Sequence, residues 1–324
     1  MSSARPWVIY GAYGYTGRLV LDLAIAAGHR PILAGRNREK LRALAEPLGL
    51  EHRAFRADDS EAVREVLGGA AVLLNCAGPF VETADPLVRT CLDVGCHYAD
   101  VTGEFMVIEA IAEMDPLAEA ASVVLCPAVG FDVVPTDCLA AQLKAQLPDA
   151  TRLTLSLQSN MGVSKGSAKS VINLFAEGPL IRRNGRMTRV SRRALIRKVD
   201  FGAGRVRCAP VPWGDLVTAW HTTGIPNIDV VFPLRAGTFE LLIEPIMRGA
   251  FNSPWVRKRL ISLIDRRVEP PGEKELDEVG VVLFGEVENA RGDRRAAIMD
   301  CPNGYALTAK AAFVTVEHLL EYEG

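Results

Sequence analysis

The chain has 324 residues, 49% of them hydrophobic, and a formal net charge of −2. That length and apolar content suit two ordinary domains, and the near-neutral balance supplies no global field for nucleic acid. Seven cysteines contain no CxxC pair and sit mostly in apolar runs such as VLLNCAG, as reduced buried thiols do. The five histidines form no HxxxH or HExxH arrangement, so no metal site is expected.

The opening MSSARP lacks the long apolar core of a signal peptide. The longest apolar stretch, 120–141, is broken by Asp132, Pro135 and Asp137, so no transmembrane segment is expected and the reading is cytoplasmic.

Trp7 to Tyr10 form a short apolar strand, Gly11, Gly14 and Gly17 punctuate a turn, and RLVLDLAIAAG continues at helical spacing. Strand, glycine turn and helix in that order suit a dinucleotide: the glycines let the backbone approach a pyrophosphate and the helix start presents N–H groups to it. The spacing is GxxGxxG rather than GxGxxG, and a plain tight turn is the structural alternative. A second strand, 31–34, ends in Gly35-Arg36-Asn37, where an acid would favour NAD. Arg36 there suits a 2′-phosphate, hence NADP(H), or else is a solvated loop charge.

A helix follows, with Asn37 as N-cap, then a third strand over 51–57. Asp58 lies at its tip, on the adenine side of such folds, though helix capping explains Asp58-Asp59-Ser60 as well. The fourth strand, AAVLLNCAG, is continuous and apolar, and the small residues Cys76-Ala77-Gly78-Pro79 after it leave room for a ligand in the crevice. HYAD and SVVLCPAV complete six strands alternating with helices, the doubly wound α/β pattern. From Thr151 the pattern changes to TRLTLSLQ and further strand-like pieces at 205–211, 228–233, 279–288 and 295–300, a second α+β domain on a mostly antiparallel sheet. The expected division is 1–130 for the nucleotide domain and 131–302 for a substrate and dimerisation domain. A terminal helix, 303–324, is expected to pack back on the first domain.

GAYGYTG, LAGRN, NCAGPF, YADVTGE, GFDVVPTDCLA and PWGDLVTAWHTTGIPN resemble the saccharopine dehydrogenase-like oxidoreductases, and within them the trans-acting enoyl reductases. The resemblance implies an NADP-binding Rossmann domain and a second, mixed-sheet domain that often makes a homodimer. It places Gly11, Tyr13, Gly14, Tyr15, Thr16 and Gly17 on the phosphates, Arg36 and Asn37 at the 2′-phosphate, and Cys76 to Pro79 near the nicotinamide. It transfers no catalytic motif and does not imply saccharopine as substrate.

No tyrosine has a lysine four residues later, which disfavours the short-chain dehydrogenases that share the glycine turn. Hydride transfer also needs a group to supply or remove a proton. The catalytic candidates are Tyr98, Asp100, Lys165 and His221, with Glu104 and Asp132 beside them; each has an ordinary reading as a cap, a core group or a solvated charge. Eight basic residues and no acid over 182–198 suit an acidic carrier protein or phosphopantetheine, or a solvated loop. The run 240–267 is read either as a packing helix pair or as an acyl-binding or lipid-facing surface. The leading expectation is an NADPH-dependent reductase of a C=C or C=N bond in a small or carrier-linked acyl substrate. The alternatives are a non-catalytic NADP-binding scaffold or redox sensor, and a saccharopine-type amino-acid dehydrogenase.

Overall fold

The computed structural model describes residues 5–159, 162, 164–191, 195–234, 249–268 and 280–322. The chain divides into two compact units, residues 1–132 with 305–324, and residues 133–304.

The first unit alternates strand and helix: β1 (Trp7–Tyr10), α1 (Tyr15–Ala26), β2 (Ile32–Gly35), α2 (Arg38–Ala45), β3 (His52–Ala54), α3 (Ser60–Leu67), β4 (Val72–Asn75), α4 (Phe80–Val94), β5 (His97–Asp100), α5 (Phe105–Ala112), α6 (Asp115–Ala121) and β6 (Leu125–Cys126). All six strands are parallel, in the order β3-β2-β1-β4-β5-β6. The chain order reverses between β1 and β4, so their carboxyl ends flank the crevice where open α/β sheets bind ligands. Residues of β1 and β4 are buried throughout because helices cover both faces of the sheet. Trp7 and Ile9 enter one core with Leu21, Leu33, Leu41 and Leu74, while Val8 and Tyr10 enter the other with Leu67, Leu73, Leu87 and Tyr98. Helix α11 (Gly304–Glu321) completes the first of these cores with Ala309, Ala312, Phe313, Val316 and Leu319.

β6 is shorter than the SVVLCPAV run suggests. Pro127 follows Cys126 and has no N–H to donate to a ladder. Ahead of β6, the Val124 N–H donates to His97 Nδ1 at 3.0 Å, leaving Leu125 and Cys126 as the paired residues.

The second unit contains α7 (Val134–Gln146), β7 (Ala150–Ser159), α8 (Lys165–Glu177), β8 (Leu180–Arg183), β9 (Arg186–Arg189), β10 (Arg197–Asp200), β11 (Arg205–Pro210), α9 (Asp215–Thr223), β12 (Asn227–Pro233), α10 (Pro254–Arg267), β13 (Val281–Asn289) and β14 (Arg294–Cys301). Its sheet runs β10-β11-β12-β7-β13-β14, with β8 on β12 and β9 on β8. β12 and β7 are parallel and the other pairs antiparallel, which is the mostly antiparallel sheet expected. β13 alternates buried and half-buried residues, and α7 lies so close on its buried face that a Cβ at Gly285 would stand 2.7 Å from Leu143 Cδ1.

The described cysteines are free thiols; Cys91, Cys96, Cys208 and Cys301 are buried, Cys76 and Cys126 half-buried and Cys138 exposed. Among the described residues no helix is long and apolar enough to cross a membrane, and no cluster of His, Cys, Asp and Glu could hold a metal ion.

Candidate functional site

The carboxyl edge of the parallel sheet is built from backbone that only glycine allows. Gly11 has φ +86°, and a Cβ there would lie 2.9 Å from Ala77 Cβ, in the loop after β4. A Cβ at Gly17 would lie 2.4 Å from the Gly11 carbonyl oxygen, and one at Gly14 would lie 3.0 Å from it. The turn is therefore pressed against both its own helix and the neighbouring strand end.

Side chains treat the four helices that follow β1 to β4 differently. Asn37 caps α2 by accepting from the Lys40 N–H at 2.9 Å, and Asp59 caps α3 by accepting from the Ala62 N–H at 3.2 Å. At α4 the cap comes from a distant segment: the buried Glu104 carboxylate accepts from the Phe80 and Val81 N–H groups, both at 3.2 Å. α1 begins at Gly14 with no side-chain cap. Its first N–H groups face the crevice with the positive end of the helix dipole, the arrangement that binds a pyrophosphate. Tyr15 and Thr16 open that helix, and the Tyr15 ring meets Tyr305 of α11 edge-on at 4.9 Å.

At the end of β2, Gly35 has φ +155° and the Tyr13 ring lies on it; a Cβ there would stand 2.9 Å from Tyr13 Cε1. Lys40 Nζ sits 5.7 Å from the centre of that ring, and Arg36 is exposed beside it in sequence. Tyr10 hydrogen-bonds the Phe55 carbonyl at 3.4 Å, and burial, then Tyr13, pushes its hydroxyl up to about 12. Two residues expected at the cofactor are otherwise engaged. The Asn37 oxygen is used as a cap, and exposed Asp58 accepts two 2.9 Å bonds from Arg56, whose hydrogen bonding holds it below the usual carboxylate range.

The loop Cys76-Ala77-Gly78-Pro79 is folded by Asn75, which is fully buried. Asn75 Oδ1 accepts from the Ala77 N–H at 3.0 Å, and Nδ2 donates to Thr83 Oγ1 at 3.1 Å and to the Tyr98 hydroxyl at 3.2 Å. Burial pushes the Cys76 thiol up to about 12, so at neutral pH it is a small neutral wall of the crevice.

Tyr98 and Asp100 stand inside the first unit rather than on its surface. The register aligns Tyr10, Asn75 and Asp100 across the strand ends, but Tyr98 and Asp100 are both fully buried. The Tyr98 hydroxyl donates to Asp100 Oδ2 at 2.8 Å, while Oδ1 accepts from the Thr102 and Ala128 N–H groups at 3.0 and 2.9 Å. Burial raises Tyr98 well above its ordinary value and Asp100 to about 6. Their hydrogen bonds brace the loops after β5 and β6. Asp132, half-buried and pressed on Gly103, is pushed by burial to about 6 as well.

Lys165 and His221 lie in the second unit. Lys165 is the exposed first residue of α8 and His221 is exposed in the last turn of α9. There Asp137, raised by burial, accepts from Thr222 Oγ1 at 2.6 Å with His221 nearby. The basic segment 182–198 is not the open patch its sequence suggests. Arg182 is buried, donating to the Leu216 and Gly185 carbonyls at 2.6 Å and lying over Trp220. Arg183 and Arg197 both pair with buried Asp229, and Arg189 pairs with Glu177. Arg192 and Arg193 lie outside the described residues; Arg186 and Lys198 are exposed.

Sequence reasoning passed over Lys40, Asn75 and the capping role of Glu104. The signal for Lys40 was its place four residues after Arg36, on the helix that the same loop opens.

A parallel sheet with a glycine-walled, uncapped first helix and a cationic second strand end defines a dinucleotide-binding domain with room for a 2′-phosphate. Residues 7–126 match the family described as the saccharopine dehydrogenase NADP binding domain. Over those residues the N-terminal part of this chain is similar to an NADP-binding domain. A trans-acting enoyl reductase of Mycobacterium leprae is 36% identical over 146 residues, 42% of this chain and 34% of that protein. A probable mitochondrial saccharopine dehydrogenase-like oxidoreductase of Arabidopsis thaliana is 28% identical over 179 residues, 48% and 39% of the two chains. The chain spans only about a third to two fifths of these relatives' length. Apo saccharopine dehydrogenase (L-Glu forming) from Saccharomyces cerevisiae has the same fold, with TM-score 0.65 and 12% identity over 99% of this chain and 92% of that one.

Proposed function

We propose that this chain is an NADPH-dependent reductase that delivers hydride to the C=C or C=N bond of a small or carrier-linked acyl substrate. The observation that carries the reading is the uncapped start of α1, walled by Gly11, Gly14 and Gly17 and flanked by the cations after β2. The C=C preference rests on the relatives named enoyl reductases.

NADPH supplies the hydride; the residues must bind it, orient it and manage one proton. Gly11, Gly14, Tyr15, Thr16 and Gly17 hold the pyrophosphate, Arg36, Lys40 and Tyr13 the 2′-phosphate side, and the Asn75-braced loop 76–79 the nicotinamide side. Asp132, raised by burial and packed against Gly103 in the loop after β5, is a candidate for the proton donor, beside Tyr98, Asp100, Lys165 and His221.

Titration of NADPH and NADH into the protein and its Arg36→Ala variant tests the nucleotide site. We expect NADPH to bind at least roughly tenfold more weakly to the variant and NADH to bind unchanged. Equal loss of both, or no loss, removes Arg36 from the 2′-phosphate. NADPH oxidation across a panel of enoyl and imine substrates then tests the reaction, and complete silence with tight NADPH binding favours the scaffold alternative.

A further inference from the structure

Helix α10 of the second unit starts at Pro254, where a fixed φ and missing N–H cost nothing. Besides Pro254 and Ser262, its exposed residues are Trp255, Lys258, Arg259, Leu263, Arg266 and Arg267. That spacing puts them on one face. Val256, Leu260 and Ile264 are half-buried and follow one another from the edge of that face towards the other side of the helix. Trp255 is 69% exposed and Leu263 44%. The Arg259 guanidinium lies 5.6 Å from the centre of the Trp255 ring, so indole and cation stand together in water.

A solvated helix face carries charges but has no use for an exposed indole and a leucine two turns apart. A protein partner selects a contiguous apolar patch inside a polar rim. Here the apolar groups are interleaved with four cations along the whole helix, in a chain whose overall charge is −2. Interleaving suits a flat, layered, negatively charged medium: large apolar groups dip below the plane of the anionic groups while long basic side chains reach back to them.

We propose that α10 is a peripheral anchor that lays this face on an anionic lipid bilayer. Trp255 and Leu263 enter the headgroup boundary, and Lys258, Arg259, Arg266 and Arg267 pair with lipid phosphates. The anchor is independent of the reductase reading, because it uses no residue of the nucleotide site.

The test is co-sedimentation of the full chain with phosphatidylcholine vesicles, with and without phosphatidylglycerol, at physiological salt. Binding is expected with the anionic vesicles alone. Each cation removed weakens it on the order of fivefold, so Arg266→Ala with Arg267→Ala gives a loss of roughly twentyfold or more. Trp255→Ala is expected to cost roughly tenfold. Brominated lipid is expected to quench the tryptophan emission of the wild type and not that of Trp255→Phe. These residues are exposed, so circular dichroism of the variants is expected to match wild type. No vesicle binding, equal binding to neutral vesicles, or binding indifferent to these substitutions overturns the proposal. So does a doubling of mass in light scattering that Trp255→Ala abolishes, which makes the face an interface between copies.

Discussion

Glu104 provides the sharpest test of how the nucleotide unit is held. Its carboxylate crosses from the start of α5 to the start of α4, where Pro79 is the N-cap residue and offers no side-chain acceptor. Glu104→Ala removes two charge-assisted bonds, each worth about 1.5–3 kcal/mol, and leaves the Phe80 N–H in a buried site. Loss of the negative charge at a helix start adds a few tenths of a kcal/mol. The expected destabilisation is about 3–5 kcal/mol. Glu104→Gln keeps one acceptor oxygen and the side-chain volume, so its cost is expected to be about 1–2 kcal/mol. Urea unfolding measures both, with the midpoint falling and the slope unchanged. The same loop carries residues 76–79, so NADPH affinity is expected to fall in the same order, alanine more than glutamine. If Glu104→Ala unfolds within about 1 kcal/mol of wild type, the carboxylate does not cap α4.

Gly17→Ala sets two effects against each other. Helix propensity favours alanine by about 1 kcal/mol, but the new Cβ stands 2.4 Å from the backbone oxygen of Gly11, which cannot swing away. Lower stability and roughly tenfold weaker NADPH binding are expected; a more stable variant with normal affinity refutes the close approach. Asp100 carries a pH signature. Its folded value is raised from 3.8 to about 6, so between those pH values the folded state holds a proton that the unfolded chain has released. Its contribution is therefore fully present below about pH 4 and is lost as pH rises through 6, amounting to about 3 kcal/mol. Asp100→Asn keeps an acceptor for Thr102 and Ala128 and is expected to flatten the pH dependence of unfolding by that amount; an unchanged profile contradicts the assignment. In the second unit, Asp229→Ala strands two guanidiniums that are each about one third exposed. A loss of about 2 kcal/mol is expected in thermal unfolding, and Asp229→Asn is expected to recover little of it.

Much of the first unit could be read directly from the order of residues. VIY and VLLN are continuously apolar because helices cover both faces of a parallel sheet, and that requirement is local to each strand. The glycines of GAYGYTG also announce themselves, since a position that tolerates no Cβ excludes every other residue. The NADP assignment followed from Arg36 at a strand end, a place fixed by the alternation of strand and helix.

The roles of the ionisable side chains were decided elsewhere. Asp100 stands in the sequence only as an acid at the end of a strand; the loops at Thr102 and Ala128 and the Tyr98 hydroxyl close around it in the fold. Glu104 caps a helix 24 residues back in the chain. In the basic run at 182–198, Arg183 and Arg197 pair with Asp229 and Arg182 donates to the carbonyl of Leu216, on strands and turns that its own spacing does not mention. Propensity, periodicity and steric exclusion act over a few residues and are written into the sequence. Whether a charge is solvated, paired or buried depends on which distant segment comes within about 3 Å of it, and only the tertiary structure sets that.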